Sequence, residues 1–81
     1  MWFVYLLECC DLSLYCGITN DLEKRIKAHN NGKGAKYTKC RLPVKLYWYE
    51  ESTDRSSASK REYQIKRLSR NEKLALKNPS K

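Results

Sequence analysis

The chain has 81 residues, enough for one domain with a small core, because a chain of this size buries only about 60% of its unfolded surface. Its 17 Lys and Arg against 9 Asp and Glu leave a net charge of +8, an excess that favours a polyanionic partner, either nucleic acid or an anionic membrane surface. The longest apolar run, Trp2 to Leu7, falls far short of the roughly 20 residues that span a bilayer, and no basic stretch precedes it as in a signal peptide, so no membrane role and a cytoplasmic location are expected.

The run Trp2-Phe3-Val4-Tyr5-Leu6-Leu7-Glu8-Cys9 is rich in aromatic and β-forming residues and reads as a strand. Cys10-Asp11-Leu12-Ser13 holds turn formers, and Leu14-Tyr15-Cys16-Gly17-Ile18-Thr19 resumes as a second strand, giving an antiparallel hairpin. Gly17 inside a strand marks a bulge or a close approach of backbone. Asn20 then reads as a helix N-cap, with Glu23 completing a capping box and Asp21 suiting the helix start. Leu22 and Ile26 form the inward stripe of a helix from about Asp21 to His29, which Asn30-Asn31-Gly32 ends.

Gly32 to Arg41 reads as a mobile basic loop carrying Lys33, Lys36, Lys39 and Arg41 as phosphate-binding candidates. Pro43 opens a third strand in which Val44, Leu46 and Trp48 alternate with Lys45, Tyr47 and Tyr49, predicting one buried and one wetter face. Ser52-Thr53-Asp54 caps a second long helix with Ala58, Arg61, Ile65 and Leu68 at helical spacing, Arg61 burying its stem. Ser69-Arg70-Asn71-Glu72 is a further capping box that starts a short last helix through Leu74, Ala75 and Leu76. The pattern is ββαβαα: an α+β domain over residues 1–77, with a three-stranded antiparallel sheet flanked by helices, and a polar tail over 78–81.

The four cysteines, Cys9, Cys10, Cys16 and Cys40, form no C-x-x-C pair, and the one histidine is His29, which argues against structural zinc. Cys9 and Cys16 can face each other across the hairpin, but free, partly buried thiols are expected in a reducing compartment.

Tyr5 and Tyr15 lie on adjacent predicted strands, and Arg25 and His29 share one helix face. Glu62 sits at the edge of its helix's apolar stripe, where an unpaired carboxylate is costly, so a cation partner is expected, either Arg25 or a bound metal. Phosphodiester hydrolysis needs a water that loses its proton, neutralised charge at phosphorus and a stabilised leaving oxygen. A tyrosine can position or deprotonate the water, and an arginine fork matches phosphate oxygens. A hard divalent ion binds through one or two carboxylates plus phosphate and waters, so one Glu suffices. Set against this are plainer readings: strand tyrosines as packing, Arg25 as a solvated cation, Glu62 in an ordinary salt bridge, and His29 as a helix-end cation.

From Trp2 to about Lys77 the chain resembles the GIY-YIG endonuclease domain in its short stand-alone bacterial form. Phe3-Val4-Tyr5 stands at the first motif, Tyr15-Cys16-Gly17 at the second, Arg25 and Glu62 at the family's arginine and metal-binding glutamate, and Gly34-Ala35-Lys36-Tyr37-Thr38 at a loop frequent in short members. The resemblance implies a metal-dependent endonuclease acting on DNA in preference to RNA. Glu62 would hold a single Mg²⁺ or Mn²⁺, Arg25 would contact the scissile phosphate, and Tyr5 and Tyr15 would organise the water. His29 stands where many members have tyrosine, a substitution that keeps a proton carrier. The first motif keeps only its tyrosine, Cys16 replaces an isoleucine, and Ile18 stands where some active members have lysine. Target choice is expected to rest on structure rather than sequence, or on a protein partner. The alternatives are a catalytically weak nucleic-acid-binding module on the same fold, and a protein-interaction domain whose charge aids solubility.

Overall fold

A computed structural model describes residues 1–76; the expected polar tail over 78–81 lies outside the described residues. Its elements are β1 (Trp2–Glu8), β2 (Leu14–Thr19), α1 (Leu22–Asn30), α2 (Lys36–Lys39), β3 (Lys45–Ser52), α3 (Arg55–Lys66) and α4 (Arg70–Ala75). The sheet is antiparallel in the order β2-β1-β3, so β1 is central and both other strands are edges. This is the α+β architecture read from the sequence, with one addition. The stretch expected as a mobile loop contains the single turn α2.

Because side chains alternate across a strand, β1 feeds two cores. Val4, Leu6, Cys16, Trp48, Ala58 and Ile65 pack between the sheet and α3. Tyr5, Leu7, Cys9 and Val44 pack on the other side, with Tyr15 and with Leu22 and Ile26 of α1. Cys9 and Cys16 therefore belong to opposite faces, and all four cysteines are free.

Local chemistry sets the boundaries. The hairpin turn is closed by Cys9 N–H on Ser13 O at 2.9 Å and by Asp11 accepting from Ser13 N–H at 3.0 Å, with Leu12 at φ 70°. Helix α1 starts one residue later than expected. Thr19 Oγ1 accepts from Asp21 N–H at 3.1 Å, which fixes the approach, and Asp21 rather than Asn20 caps Lys24 N–H. Asp54 caps α3, and the Ser69–Glu72 capping box starts α4 as expected. Gly32, at φ +75°, follows α1 in the left-handed conformation that its sequence position foretells.

Strand β3 departs from the expected pattern in two ways. It begins at Lys45 rather than Pro43, which follows a cis peptide bond. Before it, the side-chain amide of Asn30 grips both backbone groups of Val44, donating to its carbonyl at 3.1 Å and accepting from its N–H at 2.8 Å. The sheet ladder also slips between Leu6 and Leu7: Leu6 faces Trp48 but Leu7 faces Leu46. Tyr47 is the extra residue of a bulge. It joins Trp48 against the α3-side core, while Leu46 is turned outward and 38% exposed. The expected alternation of Leu46 with Trp48 therefore fails at the bulge.

Candidate active site

Tyr5, Tyr15 and Gly17 occupy the sheet face covered by α1, and Tyr5 pairs directly with Gly17 across the hairpin. A Cβ at position 17 would lie 2.6 Å from the Tyr5 hydroxyl, so the glycine makes room for that phenol. Of the two expectations for Gly17, close approach holds, since the β1–β2 register runs without a bulge.

Tyr5 is 1% exposed and His29 is fully buried, and Tyr5 Oη lies 3.1 Å from His29 Nε2. The other ring nitrogen, Nδ1, is 2.8 Å from Thr38 Oγ1, which in turn donates to Ala35 O at 2.9 Å. With the threonine proton committed to that carbonyl, the network assigns the imidazole proton to Nδ1 and leaves Nε2 to accept from Tyr5. The Ala35 N–H, 3.5 Å from Nδ1, is too distant to reverse this. A buried relay results: Tyr5 hydroxyl, His29 imidazole, Thr38 hydroxyl, Ala35 carbonyl. Gly34 lies so close to the imidazole that any side chain there would meet it.

Burial keeps both ends of the Tyr5–His29 bond neutral. It raises the Tyr5 pKa above 10.0, with the Arg25 guanidinium pulling the other way. It also lowers the His29 pKa below 6.5, and there Arg25 acts in the same direction. Arg25 thus favours a phenolate at Tyr5 and disfavours an imidazolium at His29. The reading of His29 as a charged helix-end cation is not met.

Tyr15 leans on this relay from the side. Its ring centroid is 5.4 Å from the His29 ring, 6.4 Å from Tyr5 and 5.9 Å from Tyr37, on which it stacks. Arg41 closes the stack, with its guanidinium carbon 4.2 Å from the Tyr37 ring centre. Arg41 also donates to Tyr37 O at 2.8 Å and pairs with Asp11 at 3.0 Å, so it braces the aromatic cluster from within. Lys33, Lys36 and Lys39 are exposed around it and form no ion pair among the described residues.

Glu62 stands apart. It projects from α3, on the other side of the sheet, with its side chain 23% exposed and Lys66 Nζ 3.3 Å from its carboxylate. Its charge reaches Cys16, whose thiol is pushed up to about 12 by burial first and Glu62 second. The cation partner expected for it is thus Lys66, one helical turn away, and not Arg25. Among the described residues no three His, Cys, Asp or Glu side chains converge as a metal site. A lone carboxylate still fits a hard divalent ion that brings its own waters and takes phosphate oxygens as further ligands.

Sequence reasoning did not single out Thr38, Tyr37 or Asp11 as site residues. Gly34-Ala35-Lys36-Tyr37-Thr38 was legible as a stretch, but contact with His29 and Tyr15 is long-range.

A family model described as the GIY-YIG catalytic domain matches residues 1–75. The UPF0213 protein CPE1444 of Clostridium perfringens is 60% identical over 76 residues, spanning 94% of this chain and 82% of the relative. The UPF0213 protein SSP2268 of Staphylococcus saprophyticus is 54% identical over 74 residues, spanning 91% and 90%. The solution NMR structure of the UPF0213 protein BH0048 from Bacillus halodurans superposes with a TM-score of 0.55 at 46% identity, over 90% of this chain and 79% of that one.

Proposed function

We propose that this chain, which belongs to the GIY-YIG catalytic domain family, is a metal-dependent endonuclease that hydrolyses phosphodiester bonds in DNA, selecting by structure rather than sequence. The observation that carries the reading is the buried Tyr5–His29–Thr38 relay beside Arg25. It is a proton path built inside the protein, and packing alone does not call for one. Burial and Arg25 disfavour the imidazolium, and the unprotonated Nε2 already accepts the Tyr5 hydrogen bond, so His29 can take the Tyr5 proton. Tyr5 can then take a proton from an attacking water, with Tyr15 orienting that water. Arg25 holds the scissile phosphate and lowers the cost of the transient phenolate. Lys33, Lys36 and Lys39 hold flanking phosphates. Glu62 would hold the Mg²⁺ or Mn²⁺, which supplies charge neutralisation and leaving-group stabilisation when bound.

Two observations favour the alternative, a nucleic-acid-binding module with little or no cleavage. Glu62 is already paired with Lys66, and Ile18 packs against the α3-side core where a cation would otherwise be supplied. A panel of single-stranded, duplex, flap and branched DNA with Mg²⁺ or Mn²⁺ separates the two. Cleavage that stops in EDTA and in Glu62→Gln, with binding retained, supports the nuclease. Binding without cleavage on any substrate supports the module.

A further inference from the structure

Strand β2 is an edge of the sheet, and a groove opens at each of its ends. At the Leu14 end, about 200 Å³ is lined by Ser13, Leu14, Tyr37, Arg70 and Lys73. At the Thr19 end, about 290 Å³ is lined by Trp2, Ile18, Thr19, Asn20, Arg25 and Arg55. Each groove has two cationic side chains, one aromatic ring and no carboxylate. Arg55, Arg70 and Lys73 form no ion pair among the described residues, although carboxylates elsewhere on the surface are paired. Tyr15 and Gly17 lie on the strand between the two grooves.

We infer that the edge of β2 carries a track for one single strand of nucleic acid. Its phosphates are held by Arg70 and Lys73 at the Leu14 end and by Arg55 at the Thr19 end, where Arg25 in the same groove meets the reacting phosphate. The inference rests on the nuclease reading for the ligand's identity. Like-charged side chains gathered without a carboxylate are relieved by an anion, and two such grooves on one line call for a repeating one. Six strand residues at about 3.3 Å each cover about 20 Å, comparable to the shorter of the roughly 4–16-nucleotide sites of single-strand grooves. The capped rings decide between one strand and two. Arg41 lies over Tyr37, its guanidinium carbon 4.2 Å from the ring centre, and Arg55 lies over Trp2 at 5.7 Å. A guanidinium plane held over a ring serves unpaired bases, which offer a free face, whereas bases in a duplex are already stacked. The track also gives α4 a function. Its Ser69–Glu72 box and the hydrogen bond from Tyr47 Oη to Leu74 O hold Arg70 and Lys73 at the end of β2.

The test is binding of a labelled single strand of about 12 nucleotides to the full chain in EDTA, followed from roughly 50 to 200 mM salt. Arg55→Gln is expected to flatten the slope of log affinity against log salt by about 0.7, and Arg70→Gln with Lys73→Gln by about 1.4. Lys45→Gln, on the opposite edge strand and already paired with Glu8, should leave the slope unchanged. Unchanged slopes in the groove variants would overturn the track. So would a change at one end only, an equal change in Lys45→Gln, or equally tight binding of the matching duplex. Cleavage of a flap by the unmodified chain is scored separately. Cutting with unmoved slopes defeats the track alone, and moved slopes without cutting defeat the nuclease reading alone.

Discussion

The two faces of the sheet are equally well buried but are built from opposite materials. The α3 side is drier: Val4, Leu6, Ala58 and Ile65 have no exposed surface, and the core cluster they form holds only apolar side chains and the Cys16 thiol among the described residues. The α1 side buries Tyr5, His29 and Thr38 just as deeply, and each keeps a hydrogen bond that water would otherwise supply. In so small a domain one strand must serve both purposes. Residues of β1 alternate between an apolar layer and a mixed one, in which Leu7 packs in the same cluster as Tyr5 of the proton relay. The proton relay and the driest part of the core are thereby separated by the thickness of a sheet, with Glu62 on the α3 side.

The comparison can be broken by substitutions that should each disturb one face only. Ile65→Ala empties a fully buried site on the drier face and should cost about 2–5 kcal/mol in denaturant unfolding. Whatever protein remains folded should cut at the normal rate. Tyr15→Phe, on the polar face, should do the reverse: single-turnover cleavage falls by roughly 100-fold while the melting temperature holds. Equal effects of both substitutions on both readouts would erase the division.

Tyr5→Phe should fall between the two, because Tyr5 is both core and relay. Losing its hydroxyl leaves His29 Nε2 buried without a donor, a cost of about 1–3 kcal/mol, and cleavage should slow as well. A variant as stable as the parent would mean that the phenol only fills space.

The smallest expected effect is on pH dependence. The folded pKa of His29 lies below 6.5, so the unfolded chain binds the extra proton first. Stability should be fully present above about 6.5 and should decline as pH falls from there through the folded value. His29 is the only histidine in the sequence, so the part of a melting profile between about pH 6.5 and 5 that depends on it is read by comparing the parent with His29→Gln. In His29→Gln the decline over that window should vanish, and its persistence would assign it to other groups.

What could be read from the sequence was local. Leu14–Thr19 announces itself by composition, and Ser69 with Glu72 by spacing, and both stand as read. The adjacent candidates Asn20 and Asp21 are both good caps, and the choice fell to a hydrogen bond from Asp21 N–H to Thr19 that composition does not encode. The bulge at Tyr47 was hidden because alternation in β3 looks regular until β1 is laid against it. The site was legible as a set of residues but not as a geometry. Tyr5, Arg25 and His29 do come together. Glu62 turns to Lys66, and Arg41, expected to face phosphates, is held by Asp11 and Tyr37. Thr38 could not be found from the sequence because its partner lies nine residues back across a turn.

The slip between Leu6 and Leu7 has a consequence for how copies of this chain meet. An open strand edge is a template onto which another chain can add its own strand, and β3, with eight residues, is the longest strand here. The bulge breaks its spacing near the middle, Lys45 and Glu51 stand exposed along it, and a regular incoming strand would find only short stretches in register. The same irregularity that seats Tyr47 beside Trp48 in the core makes this rim of the molecule a poor seed for aggregation.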